Sequence, residues 1–167
     1  MGKRPVILLG MALGLLWGVG LLWAGARVFL PVPPPMVLAM ALFPAGLVTC
    51  VMIGRLAQRR FFDDTIIDGA PFAPGSAAAI DQAVLRNTVE QVALALLVWP
   101  VAGYALGPGV VLALGLGFAI ARVLFWVGYH MAPPLRAFGF AASFYPTVLA
   151  AFWVLWRLLG GTFALPL

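Results

Sequence analysis

Three polar side chains stand within an otherwise apolar stretch of the sequence, and their spacing places them on one face of a helix. Glu90 follows Arg86 by four positions and Asn87 by three. Residues three or four apart are neighbours on a helix surface. An ionisable side chain at the centre of a membrane helix costs about 2.5–3.5 kcal/mol on insertion scales, so these three residues are candidates for a functional site.

A second apolar stretch carries Arg122 and Tyr129, which are seven residues apart and therefore share a helical face. Their separation along the helix axis is about 10 Å at a rise of about 1.5 Å per residue. Arg136 begins the next apolar stretch. Successive helices cross the membrane in opposite directions, so the stretch that carries Glu90 starts on the side where the stretch that carries Tyr129 ends. The stretch that Arg136 begins starts on this same side. We therefore expect the polar groups of the three helices to meet there. We interpret His130 as a side chain at the membrane–water interface.

Three arginines and one glutamate favour a small ligand that carries both carboxylates and an amine. Arginine binds carboxylates through two parallel hydrogen bonds, and a glutamate accepts from an ammonium group. A cation beside a thiol lowers the pKa of that thiol and favours the nucleophilic thiolate, so Arg136 and Tyr129 could activate a bound thiol. The structural alternative is an ion pair of Glu90 with Arg86 or Arg122 that fixes helix packing without chemistry.

The overall composition indicates what positions these groups. Of the 167 residues, 64% are hydrophobic and 9% are charged, whereas soluble domains have about 45–50% apolar and about 25% charged residues. This balance excludes an ordinary soluble enzyme and a free nucleic-acid-binding protein, and it indicates an integral membrane protein. The net charge of +5 is expected to reflect topology. One cysteine and one histidine exclude an intrachain disulfide and a cluster of such metal ligands, so we predict no metal cofactor.

Five segments are long and apolar enough to cross a bilayer, which takes about 20 residues. They run approximately over Pro5–Ala26, Met36–Ala57, Ala78–Ala105, Val110–Tyr129 and Phe138–Leu159. Their Leu, Val, Ala and Phe content without strand-like alternation favours helices over a barrel. Basic residues that favour the cytoplasmic side precede span one, end span two and precede span five, namely Lys3, Arg4, Arg55, Arg59, Arg60 and Arg136. We therefore predict a cytoplasmic amino terminus.

The first span has two interpretations. Its basic start, apolar run and Ala24-Gly25-Ala26 are typical of a cleavable signal peptide, but the run exceeds the usual length of about 7–15 residues. We interpret residues 1–30 as an N-terminal transmembrane helix or signal anchor, and residues 31–167 as a four-helix membrane domain. Small residues four apart allow membrane helices to pack closely, and the first span has them at Gly10, Gly14 and Gly18.

Short motifs on the later spans resemble the membrane-associated proteins in eicosanoid and glutathione metabolism, the MAPEG family. They are Arg86-Asn87-Thr88-Val89-Glu90, Ala121-Arg122 with Gly128-Tyr129, and Ala132-Pro133-Pro134-Leu135-Arg136. The motifs occur in family order and at family spacing across about Met36–Leu159. The loop Arg59-Arg60-Phe61-Phe62-Asp63-Asp64 also resembles bacterial members.

This resemblance implies an all-α integral membrane fold, a four-helix transmembrane bundle of MAPEG type, here with one extra N-terminal transmembrane helix. It also implies a homotrimer in which glutathione, as co-substrate, lies between neighbouring subunits near the cytoplasmic face. The residues that resemble glutathione-binding positions are Arg86, Asn87, Glu90, Arg122 and Tyr129. Arg136 resembles the catalytic arginine that stabilises the glutathione thiolate. The implied location is a bacterial inner membrane.

The implied activity is transferase or peroxidase chemistry with lipophilic electrophiles or lipid peroxides. Three positions depart from the family pattern: Ala83 stands where many members have an arginine, Phe125 where a His or Tyr is common, and Ala137 where one prostaglandin-forming branch has a serine. The alternative function is therefore a non-catalytic membrane scaffold or lipid-binding protein of the same fold. A transporter is disfavoured, because the chain is short and has no evident inverted repeat.

Overall fold

The computed structural model describes residues 3–131 and 133–161 and contains five long α-helices. They are α1 (Lys3–Ala26), α2 (Pro34–Phe61), α3 (Ala77–Leu106), α4 (Pro108–Met131) and α5 (Pro133–Leu158). Each helix is long and apolar enough to cross a bilayer, and the described residues include no β-strand. The prediction of five membrane helices is therefore confirmed, and the protein is an integral, multi-pass membrane protein.

Prolines and one serine determine where the helices begin. Helices α2 and α4 start at Pro34 and Pro108, because the first helical residue needs no N–H for a helical hydrogen bond. Ser76 caps α3 by accepting a 3.1 Å hydrogen bond from the backbone N–H of Ala79. Helix α5 begins at Pro133, five residues before the predicted start of the fifth span. Arg136 therefore belongs to the first turn of α5.

The extra helix α1 packs along α5 and also touches α4. Glycines make the α1–α5 contact close: a Cβ atom added at Gly10 would lie 2.9 Å from the Ala137 Cβ and from the Phe138 backbone nitrogen. A Cβ added at Gly14 would overlap the backbone of Ala141. The close packing expected of the small residues in the first span is confirmed.

Helix α4 contacts each of the other four helices and organises the bundle. Two of its glycines allow this, since Gly115 lies against the backbone of Ala41 in α2 and Gly128 lies against the backbone of Arg136 in α5. In the core, the fully buried Trp99 of α3 donates a 3.1 Å hydrogen bond to the hydroxyl of Thr147 in α5. The Gly128 and Trp99 contacts hold α5 against α4 and α3, the three helices that carry the site described next.

Candidate functional site between α3, α4 and α5

Arg122 lies in the middle of the bundle with 0% of its surface exposed. Its guanidinium donates three hydrogen bonds of 3.1 Å to neutral oxygens, namely the hydroxyl of Thr88, the hydroxyl of Ser143 and the carboxamide oxygen of Asn87. The Thr88 and Ser143 hydroxyls donate in turn to backbone carbonyls of their own helices, so their lone pairs remain available to Arg122. The buried cation is therefore solvated by dipoles of α3 and α5.

Glu90 joins this network only indirectly. The Asn87 amide nitrogen donates a 3.3 Å hydrogen bond to the Glu90 carboxylate, while the Asn87 oxygen accepts from Arg122. In residues 3–131 and 133–161, no carboxylate lies within 4.0 Å of the guanidinium of Arg86, Arg122 or Arg136. The structural alternative of an ion pair with Glu90 is therefore absent from the described chain, and the positive charge of these arginines is left without a direct counter-charge.

A cavity of about 480 Å³ opens beside this network. Five of the six predicted site residues line it: Arg86, Asn87, Glu90, Tyr129 and Arg136. The sixth, Arg122, does not line the cavity and lies directly behind its Asn87 wall. The sequence-based expectation that these polar groups would meet on one side is thus matched by their arrangement, while their roles remain predictions.

Aromatic contacts hold the α4–α5 side of the cavity. The guanidinium carbon of Arg136 lies 4.9 Å from the centre of the Tyr129 ring, which is within the range of a cation–π interaction. The Tyr129 ring in turn meets the Phe125 ring edge-on, with the ring centres 4.9 Å apart. Gly128 permits this geometry, because any Cβ there would overlap the Arg136 backbone. Arg136 therefore lies at the cavity surface.

The three departures from the family pattern all face the same cavity. Ala83, Phe125 and Ala137 line it together with the polar residues. Each places a hydrocarbon surface at the cavity wall. The cavity therefore combines polar groups with a substantial apolar lining.

Helix α1 supplies a further part of that lining, and no pattern in the sequence predicts this. Ile7 and Met11 contribute side chains to the cavity wall. Both are apolar residues in an almost wholly apolar helix, so their types carry no functional signal. Only the packing of α1 on α5 shows that they adjoin the polar groups.

A second polar cluster lies where α2, α3 and α4 meet, and the sequence analysis missed it. Asp81 is 2% exposed and accepts hydrogen bonds from Arg59 at 2.5 Å and from the Trp126 indole at 2.7 Å. The His130 ring nitrogen lies 2.6 Å from the same carboxylate oxygen that accepts from Trp126, while Arg59 contacts the other oxygen. The interpretation of His130 as an interfacial side chain was incomplete, because its main polar contact is with Asp81. Trp126 and His130 are four residues apart on α4, and that spacing was the available signal.

The described residues contain no group of three His, Cys, Asp or Glu side chains that could hold a metal ion.

Comparison with known proteins gives one result. The family model described as the MAPEG family matches residues 36–156, which is more than half of the chain and includes every predicted site residue. Helix α1 lies outside the matched residues. No curated protein and no solved structure matches the chain.

Proposed function

The chain belongs to the MAPEG family, and from this premise we propose that it is a membrane-bound, glutathione-dependent transferase and peroxidase that acts on lipophilic electrophiles or lipid peroxides. The observation that supports the proposal is the excess of positive charge at the cavity. Three guanidinium groups lie at or just behind its wall, and the described residues place no carboxylate within 4.0 Å of them. Glutathione carries two carboxylates, one ammonium group and one thiol, which complement that arrangement.

The residues of α3 and α4 would bind the peptide part of glutathione. Arg86 at the cavity surface would bind a carboxylate through its planar fork of donors. Arg122 would add charge from behind the wall and, through its hydrogen bond to the Asn87 oxygen, keep that amide in one orientation. Glu90 would accept a hydrogen bond from the ammonium group, and Tyr129 would bound the ligand on the α4 side.

Arg136 would act on the thiol. A nearby cation lowers the pKa of a thiol and so increases the fraction of thiolate, which is the reactive form. In the transferase reaction, the thiolate sulfur attacks an electrophilic carbon, a carbon–sulfur bond forms, and the leaving group departs with the electron pair of its broken bond. The proton of the thiol is released to water.

The peroxidase reaction uses two glutathione molecules. The first thiolate attacks the peroxide, the oxygen–oxygen bond breaks, and the alkoxide takes a proton to give the alcohol. The sulfur is left as a sulfenic acid, which a second glutathione converts to the disulfide with loss of water. The hydroperoxide is thus reduced by two electrons, and two thiols are oxidised.

We also propose the assembly and location that the family implies: a homotrimer in a bacterial inner membrane, in contact with membrane lipids, with a cytoplasmic amino terminus. Native mass spectrometry of the protein in detergent would give the subunit number. Labelling of single cysteines placed at either end of α1, in intact and in permeabilised cells, would give the orientation.

The activity test compares the purified wild type with Arg136→Ala, using 1-chloro-2,4-dinitrobenzene for conjugation and cumene hydroperoxide for peroxide reduction. We expect glutathione-dependent turnover in the wild type and a loss of about 10²-fold in the variant, the lower end for removing one group that stabilises negative charge. Arg55→Ala is the matched control, because Arg55 is an exposed arginine that bonds to Gln58 outside the cavity. Absence of glutathione-dependent turnover in the wild type would overturn the proposal.

The alternative is a non-catalytic scaffold or lipid-binding protein, and the hydrocarbon surfaces of Ala83, Phe125 and Ala137 in the cavity favour it. Thermal unfolding with and without glutathione separates the two functions. A ligand at one hundred times its dissociation constant stabilises the folded protein by about 2.7 kcal/mol. The enzyme should show that shift, and the scaffold should show none.

A further inference from the structure

The helix outside the family match forms part of the wall of the candidate site. Ile7 and Met11 are four residues apart on α1, and both line the cavity that holds Arg86, Glu90 and Arg136. Each keeps 39% of its surface exposed. The two side chains therefore stand at the cavity edge with apolar surface still available for contact.

The position of this wall is fixed by the close packing of α1 on α5. Gly10 and Gly14 bring the α1 backbone against α5 near Ala137 and Ala141, and a Cβ at either glycine would displace one of the helices. Residues 7, 10, 11 and 14 follow the three- and four-residue spacing of one helical face. The glycines thus hold Ile7 and Met11 over the first turns of α5, where Arg136 lies.

The lining of the cavity combines polar and apolar groups. The charged and amide groups come from α3 and from Arg136, whereas the apolar surface comes from α1, from Ala83 and Ala137, and from rings of α4 and α5. The rings are those of Phe125, Tyr129, Phe140 and Tyr145. Aromatic rings bind other rings in offset or edge-on contacts, and a methionine sulfur also contacts ring edges favourably.

We propose that α1 forms the acceptor-binding wall of this cavity, with Ile7 and Met11 contacting a small aromatic electrophile that arrives from the bilayer. This inference rests on the proposed glutathione-dependent function. The polar side of the cavity holds the thiol substrate, and the acceptor lies between that thiol and α1. The apolar part of the acceptor exchanges contact with lipid for contact with Ile7, Met11 and Phe140.

A binding test requires no turnover. Cys50 is the only cysteine and is exposed, so it is first replaced in a Cys50→Ala background. Met11→Cys and, as matched control, Leu8→Cys are then introduced; Leu8 is 64% exposed and is not among the cavity-lining residues. The probe is S-(2,4-dinitrophenyl)glutathione, which carries both the peptide and the aromatic group, and the readout is the rate of alkylation by a maleimide.

We expect the probe at ten times its dissociation constant to slow alkylation of Met11→Cys about tenfold. The reason is that the fraction of protein without bound probe falls by a factor of one plus the ratio of probe concentration to dissociation constant. Alkylation of Leu8→Cys should not change. S-methylglutathione, which lacks the aryl group and has no free thiol to consume the maleimide, should protect Met11→Cys less. Equal protection of both cysteines, or protection of neither, would overturn the acceptor wall. If glutathione still raises the melting temperature in that case, the proposed function stands; if it does not, both proposals fail.

A kinetic test uses substitutions that keep the helix apolar. Ile7→Trp narrows the cavity, and Leu8→Trp adds the same bulk outside it. For a bulky acceptor such as 2-(bromomethyl)naphthalene, we expect kcat/KM to fall by at least about tenfold in Ile7→Trp, since a methylene-scale misfit in a pocket has effects of about 10–200-fold. The KM for glutathione should remain unchanged in both variants. Equal kcat/KM values for the bulky acceptor in Ile7→Trp and Leu8→Trp would overturn the proposed acceptor-binding wall.

Discussion

Two buried charges in this bundle have opposite surroundings. Asp81, which is 2% exposed, has the Arg59 cation at 2.5 Å as counter-charge and two further ring nitrogens within hydrogen-bonding distance. Arg122, which is 0% exposed, has as partners in the described part of the chain three neutral oxygens and the Phe125 ring, whose centre lies 4.0 Å from the guanidinium carbon. The Asp81 cluster is therefore internally neutralised, and the Arg122 network is not.

The difference indicates what each cluster is suited for. Removing one partner of a buried ion pair leaves an uncompensated charge and is strongly destabilising, so a neutralised cluster fixes helix packing. A buried cation without a counter-ion reduces the stability of the empty protein, and an anionic ligand relieves that cost when it binds. The cavity lies on the Arg122 side, with two more arginines in its wall. We therefore propose that Asp81 serves packing and that Arg122 serves ligand binding.

The largest expected effect on glutathione binding comes from Arg122→Met, which removes the unneutralised charge while keeping a side chain of similar length. We expect the stabilisation by glutathione to fall from about 2.7 kcal/mol, at one hundred times the wild-type dissociation constant, to near zero. The melting temperature of the empty protein should stay the same or rise, because replacing a buried ion by a packed apolar side chain is often neutral or stabilising. Thermal unfolding in detergent measures both quantities. A large fall in the melting temperature of the empty protein would show that Arg122 is structural.

Asp81→Asn should instead lower the stability of the empty protein and leave its stabilisation by glutathione unchanged. It keeps the shape of the side chain but removes the counter-charge of Arg59, and we expect the empty protein to lose about 3 kcal/mol, the lower end for a broken buried pair. Arg59 is 23% exposed, so water partly compensates its charge. The increase in melting temperature caused by glutathione should persist. Asp68→Asn in the loop between α2 and α3 is the control and should change neither value.

The sequence predicted the five helices and most of the cavity, because those features depend on local patterns. Apolar segments separated by prolines specify the membrane helices, and the spacing of Arg86, Asn87 and Glu90 places them on one face whatever their surroundings. Ionisable residues are conspicuous in a chain with so few of them. The predicted fifth span starts five residues too late, because prolines such as Pro133 are tolerated in a first helical turn.

The remaining features depend on contacts between distant parts of the chain. The partners of Arg122 include Thr88 and Ser143, whose short hydroxyl side chains are too ordinary to be singled out. The Asp81 cluster joins residues 22 to 49 positions apart. Ile7 and Met11 differ in no visible way from their neighbours in α1. Such residues become identifiable only when helix packing brings them together.

Glu90→Gln provides the smallest and most specific test, because Glu90 is the only carboxylate connected to the Arg122 network in the described chain and is reached through Asn87. Glu90 is exposed, so the melting temperature of the empty protein should hardly change. If Glu90 binds the ammonium group of glutathione, the variant should bind glutathione about tenfold more weakly, which corresponds to about 1.4 kcal/mol and to the low end for a charge-assisted hydrogen bond.

The matched ligand for that test is glutaryl-cysteinyl-glycine, which lacks only the amine. Wild type and Glu90→Gln should bind this analogue equally, because the group that Glu90 would contact is absent. A variant that loses the same affinity for both ligands would show that Glu90 acts through Asn87 on the Arg122 network. Glu90 would then partly neutralise the charge of Arg122 through Asn87. The Asp81 and Arg122 clusters would differ less in net charge than their direct contacts indicate.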